Sequence, residues 1–337
     1  MARSPLTDVA WEYMSAQILH MATDLELIDR LAEGPRSSGQ LAEETATHGP
    51  SVLRLLRVLA TLGVVTQTEP DRFELTELGG DLRTGTPGSV RDVFRFLCSA
   101  GAWSSWGDAA HSLRTGDTAF EHNYGMPAFA YLGRHPEEAA KLNGAMGRMT
   151  SETAAGLIAG CDFTRFHTVV DVGGGSGVFL AEILRSAPRT AGVVYDMPTG
   201  VAEAAQTLAA AGVADRATVT AGSFFESVPA GADAYVMKLI LHDWDDEKSL
   251  RILRGIRESI KPDGRLLIFE RVVPDVVGAE HHRALLADML MLVLTGGRER
   301  TEDEYRGLLG QAGFTLASVS GPLGELGFSR LEAVPSV

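Results

Sequence analysis

The 337-residue chain predicts an α/β fold in which a doubly wound parallel sheet follows a smaller, mostly helical domain. Three observations predict it. Beyond residue 165, short apolar runs alternate with helix-spaced segments. A glycine loop, Gly173-Gly174-Gly175-Ser176-Gly177, lies between the first such run and the first such segment. Before residue 100 the pattern is short helices and one hairpin. At roughly 150 residues per domain the length suits two domains. The expected division is 1–100, a helical segment 101–160, and 161–337.

Taken in order, Val52, Leu55, Leu56 and Leu59 fall at i, i+3, i+4 and i+7 and predict a helix ending at Gly63. Val64-Val65-Thr66, the turn Glu69-Pro70-Asp71-Arg72 and Phe73-Glu74-Leu75-Thr76 predict a hairpin. Helices followed by a hairpin make a winged-helix-like domain. Residues 1–100 carry 9 Arg and no Lys against 14 Asp+Glu, however, and a DNA-reading wing needs cations. A packing or dimerisation module is the reading retained. Segment 101–160 is rich in large apolar side chains, among them Trp103, Trp106, Phe129, Met146 and Met149, which suit a core or the wall of an aromatic pocket. The alternating half predicts strands at 168–172, 191–195, 217–220, 234–239 and 265–269, with helices at 178–185, 201–211 and 247–260. Thr301-Glu302-Asp303-Glu304 has capping-box spacing, and 314–318 with 329–333 predict a closing strand pair.

Composition narrows the function. With 45% hydrophobic and 22% charged residues, the chain can bury a core. Thirty Lys+Arg against 44 Asp+Glu give a formal net charge of -14, which repels nucleic acid and anionic membranes. Cys98 and Cys161 are too few for a disulfide framework. The greasy stretch 284–294 is broken by Asp288, and no signal sequence opens the chain, so a cytoplasmic protein is expected.

The glycine loop discriminates between ligands. A dinucleotide fingerprint needs a glycine three residues after Gly175, where Val178 stands, and no Lys-Ser/Thr pair follows to make a P-loop. Asp171 just ahead of the glycines disfavours a pyrophosphate and suits a cation. Asp196, followed by Met197, ends the next strand, where a carboxylate can accept both ribose hydroxyls. A ligand with a ribose, a sulfonium and an ammonium group meets these demands: S-adenosylmethionine.

Residues 237–246, Met-Lys-Leu-Ile-Leu-His-Asp-Trp-Asp-Asp, run from a strand past its C-terminal end, where doubly wound folds place their chemistry. His242 there can accept a proton near neutral pH if one ring nitrogen is bare and the other is held by an acceptor. Glu270 and Glu299 are both candidates for that hold.

The Asp171–Gly177 loop, Leu241-His242-Asp243-Trp244, Glu270 and Gly296-Gly297-Arg298-Glu299-Arg300 occur in the order and at the spacing of one family. The chain resembles the small-molecule O-methyltransferases related to caffeic acid O-methyltransferase. The scarcity of lysine, four of 30 basic residues, points to the bacterial branch that tailors aromatic natural products. The resemblance implies a class I methyltransferase sheet, an N-terminal dimerisation domain and a homodimer. It implies that His242 removes a phenol proton with Glu270 and Glu299 bracketing it, and that Asp243 sits beside the substrate. Asp171, Gly173, Gly175, Gly177, Asp196, Met197, Gly222, Ser223, Phe224 and Lys238 would hold the cofactor; Trp103, Phe129, Met146, Met149, Asp288, Met291 and Thr295 would line the acceptor site.

Two departures stand out. Ser223 replaces an acid usual in the family, and Thr295 and Leu239 differ from the phenylpropanoid enzymes, which argues against a monolignol acceptor. Competing chemistry comes from relatives that use the cofactor for hydroxylation, decarboxylation or cyclisation. A metal-dependent catechol mechanism would draw on Asp243, Asp245, Asp246 and Glu247, but acids at a helix start are ordinary capping partners. No metal is expected.

Overall fold

The computed structural model describes residues 6–86, 88–323 and 327–336. They pack as two compact units, one running to Trp103 and taking in Gly144–Arg148, the other comprising Ser104–Asn143 and everything from Met149 onward. The segment 101–160 is therefore divided between the two rather than standing alone.

The first unit gathers helices Leu6–Asp24, Leu27–Ala32, Ser38–Glu44 and Gly49–Thr61 around Leu27, Leu41, Val52, Leu56, Leu59 and Phe73. Ser37 and Gln40 form a capping box on the third helix, and Gly63, at φ 75°, follows the fourth. The hairpin pairs β1 (Val65–Glu69) with β2 (Arg72–Leu75), and Arg36 bridges to Phe73 on its free edge. The helix Leu6–Asp24 leaves Leu6, Val9, Trp11, Tyr13 and Met14 exposed.

The second unit holds a seven-stranded sheet: β3 (Thr168–Val172), β4 (Ala191–Asp196), β5 (Ala217–Ala221), β6 (Ala234–Lys238), β7 (Arg265–Arg271), β8 (Phe314–Val319) and β9 (Phe328–Pro335), in spatial order β5-β4-β3-β6-β7-β9-β8. β3 to β7 are parallel, and β9 is antiparallel to both its neighbours. Because both faces are covered, the central strands read as unbroken apolar runs. Val170, Val172, Tyr235, Met237, Leu266 and Ile268 pack on one side with Ile252, Leu253 and Leu309. Val169, Val236, Leu267 and Phe269 pack on the other with Phe179, Leu180 and Ile183. The strand order reverses between β4-β3 and β6, which opens the crevice at the strands' C-terminal ends where ligands bind in such sheets.

Two local readings differ from the sequence pattern. The helix expected over 201–211 is a 3-10 turn, Val201–Glu203, running into a helix at Ala204–Ala210. The strand expected to reach Leu239 stops at Lys238, because Leu239 adopts a left-handed φ of 56°. That turn redirects the chain into the 3-10 turn Leu241–Asp243. None of the described helices is long and apolar enough to cross a membrane.

Candidate active site

The glycine loop joins β3 to the helix Val178–Ser186, and Gly173, Gly175 and Gly177 all adopt positive φ. The Gly173 and Gly174 N–H groups donate to the Tyr195 carbonyl, so the loop folds back on the end of β4. Next to it, Asp196 Oδ2 accepts from the Gly175 N–H at 2.9 Å and Oδ1 from the Met197 N–H at 2.6 Å. Each of those oxygens keeps capacity for a further donor. Asp171 is buried, and its Oδ2 has no hydrogen-bond partner. Burial first, then the charge of Asp196, pushes the Asp171 carboxyl up to about 7 against the opposing Lys238 ammonium. Lys238 donates to Thr150 Oγ1 at 3.1 Å, and burial with the Arg271 charge pulls it down to about 8.

The donor set fits S-adenosylmethionine. A buried carboxylate with one unpartnered oxygen, a glycine-rich loop at positive φ beside it, and a second carboxylate at the next strand end suit a cationic nucleoside. Gly222 donates its N–H to the Asp196 carbonyl, and Ser223 Oγ accepts the Phe225 N–H at 3.3 Å. The serine that replaces the usual acid thus caps its own turn. Phe224 and Phe225 meet Trp244 edge-on, and Phe129 stacks on the same indole at 5.0 Å.

Beyond β6, Leu241–Asp243 form a 3-10 turn that carries His242, which is only 6% exposed. Of the two candidate glutamates, Glu299 holds the ring: His242 Nδ1 lies 3.1 Å from Glu299 Oε1. Glu270 holds the backbone instead, its Oε1 accepting the Ile240 and Leu241 N–H groups at 2.9 Å each. It steadies the turn that the left-handed Leu239 begins. In the neutral ring, Nδ1–H donating to Glu299 leaves Nε2 bare; Asp243 Oδ1 lies 3.8 Å from Nε2. Burial alone pulls the imidazole down, but Asp243, Glu299 and Glu270 outweigh it and raise its pKa to about 9. Glu299 is burdened by burial yet held below its ordinary value by His242 and by Arg271, whose Nη1 donates at 3.2 Å.

The segment after the helix His282–Leu294 supplies this partner. Asp288, expected beside the acceptor, accepts the Glu299 N–H at 2.8 Å and so anchors the residue that holds the His242 ring. Thr295 Oγ1 donates to the Met291 carbonyl at 3.2 Å. Gly297 lies against the catalytic turn, and a Cβ there would overlap the His242 carbonyl and the Asp243–Trp244 peptide. Arg300, with no exposed surface, reaches the carbonyls of Leu241 and Trp244 and the Asp246 carboxylate. Neither Gly297 nor Arg300 was singled out by sequence reasoning, although both lie in a quoted block; only the fold shows two backbones in contact there.

The remaining expected acceptor residues divide. Trp103 and Met146 belong to the first unit, where Trp103 stacks on Tyr13 at 5.9 Å. Met149 packs against the sheet core, and Met291 is buried. The acid run is occupied locally: Asp245 caps the helix Asp246–Ser259, and Asp246 pairs with Arg298 and Arg300. Among the described residues, the one group with metal-ligand spacing is His242, Glu270 and Glu299, with ligand atoms within 4.8 Å of one another. The Arg271 guanidinium on Glu299 already supplies a cation there.

Residues 103–315 match the O-methyltransferase domain, and residues 7–84 match the O-methyltransferase dimerisation domain. The chain belongs to the O-methyltransferase family. Phenazine O-methyltransferase PhzM of Lysobacter antibioticus is 40% identical over 307 residues, 91% of this chain and 89% of that one. O-demethylpuromycin-O-methyltransferase of Streptomyces alboniger is 40% identical over 338 residues, 99% of this chain and 89% of that one. A crystal structure of a neocarzinostatin-biosynthesis O-methyltransferase, holding S-adenosylmethionine and 2-hydroxy-5-methyl naphthoic acid, superposes with a TM-score of 0.81 at 30% identity, covering 95% of this chain and 96% of that one. This O-methyltransferase uses S-adenosylmethionine, as its family does.

The close approach at Gly297 yields a test. Gly297→Ala is expected to cost about 3 kcal/mol, the upper end for overpacking. Gly307→Ala, on the exposed face of the helix Glu302–Gln311 with nothing within 4 Å, is expected to be neutral or mildly stabilising. Thermal unfolding of both variants checks this; equal melting temperatures would contradict the packing described.

Proposed function

We propose that the enzyme methylates a phenolic hydroxyl of an aromatic natural product and that His242 Nε2 removes the hydroxyl proton. The observation that carries this reading is the buried His242–Glu299 hydrogen bond at the C-terminal end of β6. Once the ring is neutral, it fixes the tautomer that leaves Nε2 able to accept, in a place shielded from water.

When bound, S-adenosylmethionine supplies an already activated methyl group on a cationic sulfur. The chain has two tasks, alignment and proton removal. Asp171, Asp196 and the loop glycines hold the donor's charged and hydroxyl groups, and Phe224 and Lys238 flank its adenosine. Phe129, stacked on Trp244, Met291 and Thr295 form the acceptor side of the second unit, with Asp243 next to the base. Met149, in the same unit, joins the acceptor set expected from the family. Alignment of reacting atoms is worth up to about 7–11 kcal/mol. A positioned base adds about 10²–10⁴-fold, because a phenol of pKa roughly 10 is protonated at pH 7. The aromatic acceptors named for the relatives support this substrate class. The exposed apolar face of the helix Leu6–Asp24, within the matched dimerisation domain, supports a homodimer.

Incubation with S-adenosylmethionine and a panel of phenazines, naphthoates, anthraquinones and hydroxybenzoates, read by mass spectrometry, tests the reaction. A product in which one hydroxyl hydrogen is replaced by methyl, a net gain of CH2, with S-adenosylhomocysteine released, is expected; a hydroxylated or decarboxylated product would overturn the reading. His242→Gln should lose at least about 100-fold in turnover while keeping donor affinity. Near-normal turnover would remove His242 from its role.

The raised pKa of His242 sets a sign for pH dependence. In the ligand-free enzyme the ring is mostly imidazolium below about 9 and cannot accept a proton. Hence kcat/KM at subsaturating donor should climb with pH and level off above that value. A bound cation disfavours the imidazolium, so saturating donor should move the climb to lower pH. A profile flat from pH 6 to 9 at subsaturating donor would contradict it.

A further inference from the structure

We infer that Arg300 is a positioning residue for the base, an assignment that rests on the role proposed for His242. Glu299 and Arg300 are consecutive in a segment that bridges to Val272. Glu299 takes the ring of His242, and Arg300 takes the backbone on both sides of it. Arg300 Nη1 donates to the Leu241 carbonyl at 2.9 Å, and Nη2 to the Trp244 carbonyl at 2.8 Å. Nε and Nη2 also donate to Asp246 Oδ1 at 3.0 and 2.8 Å, at the start of the helix Asp246–Ser259.

Leu241 and Trp244 are the residues that flank His242 and Asp243, so one rigid fork spans the turn that carries the base. A planar guanidinium can satisfy three acceptors in fixed directions, which a lysine ammonium on a flexible stem cannot. With Arg300 fully buried, no water competes for those carbonyls. The fork fixes the height of the turn relative to the segment that presents Glu299, and therefore the distance between His242 Nδ1 and its carboxylate. Arg300 touches neither ring nitrogen; it acts through the backbone.

The test compares Arg300→Met, Arg300→Lys and Asp246→Asn with wild type and with His242→Gln. Arg300→Met should lose about 100-fold in kcat, the scale of an ångström-sized misplacement, with KM for donor and acceptor within threefold. Its rising pH limb should lie at lower pH than wild type, since a loosened Glu299 contact no longer favours the imidazolium. Arg300→Lys should recover part of kcat. If Arg300→Met does not fold, Asp246→Asn, which weakens the fork from its half-exposed end, should give a smaller kcat loss and the same direction of limb shift. Folded variants with an unmoved limb, or a loss confined to KM, would overturn the positioning role. High turnover of His242→Gln would instead overturn the base assignment, so the two failures are separable.

Discussion

One oxygen of Glu299 accepts from His242 Nδ1 at 3.1 Å and from Arg271 at 3.2 Å, in a place largely closed to water. Burying a carboxylate is costly unless its partners are held in geometry, and removing either partner leaves a charge stranded. Much of the surrounding structure follows from that demand. Asp288 secures the Glu299 N–H, Glu270 secures the amides that begin the catalytic turn, and Gly297 lets the two backbones meet.

The same acidity serves both sides of the crevice. Asp171, Asp196, Asp243, Glu270 and Glu299 outnumber the nearby Lys238 and Arg271; burial first and then this crowding raise Asp171 and Asp243, and the crowding raises His242 against its burial. A cationic donor relieves that crowding on arrival. On the base role proposed for His242, the donor would also help to discharge the imidazolium and so couple its own binding to the base through charge. Trp244 connects the two sides by packing, with Phe129 on one face and Phe225 at its edge.

The sheet was legible in the sequence because its central strands are buried on both faces and read as continuous apolar runs. The glycine loop and Asp196 were legible because the ligand's chemistry dictates residue types at fixed places. What stayed hidden depends on contacts between distant segments. Glu270 and Glu299 both end up within reach of His242, and nothing local says which meets the ring and which the backbone. Asp288 reads as an acceptor-site acid until Glu299 is seen folded back on it. The left-handed Leu239 breaks a pattern that otherwise favours strand. Arg298 and Arg300 look alike in sequence, yet one lies at the surface and the other is enclosed.

The Glu299 charge holds the His242 ring and, with Asp243, raises its proton affinity. NMR titration of the His242 ring, in the ligand-free wild type and in Glu299→Gln, measures this directly. A wild-type midpoint well above 6.5, near 9, that falls in the variant is expected. A wild-type midpoint at or below 6.5, unchanged by the substitution, would contradict it.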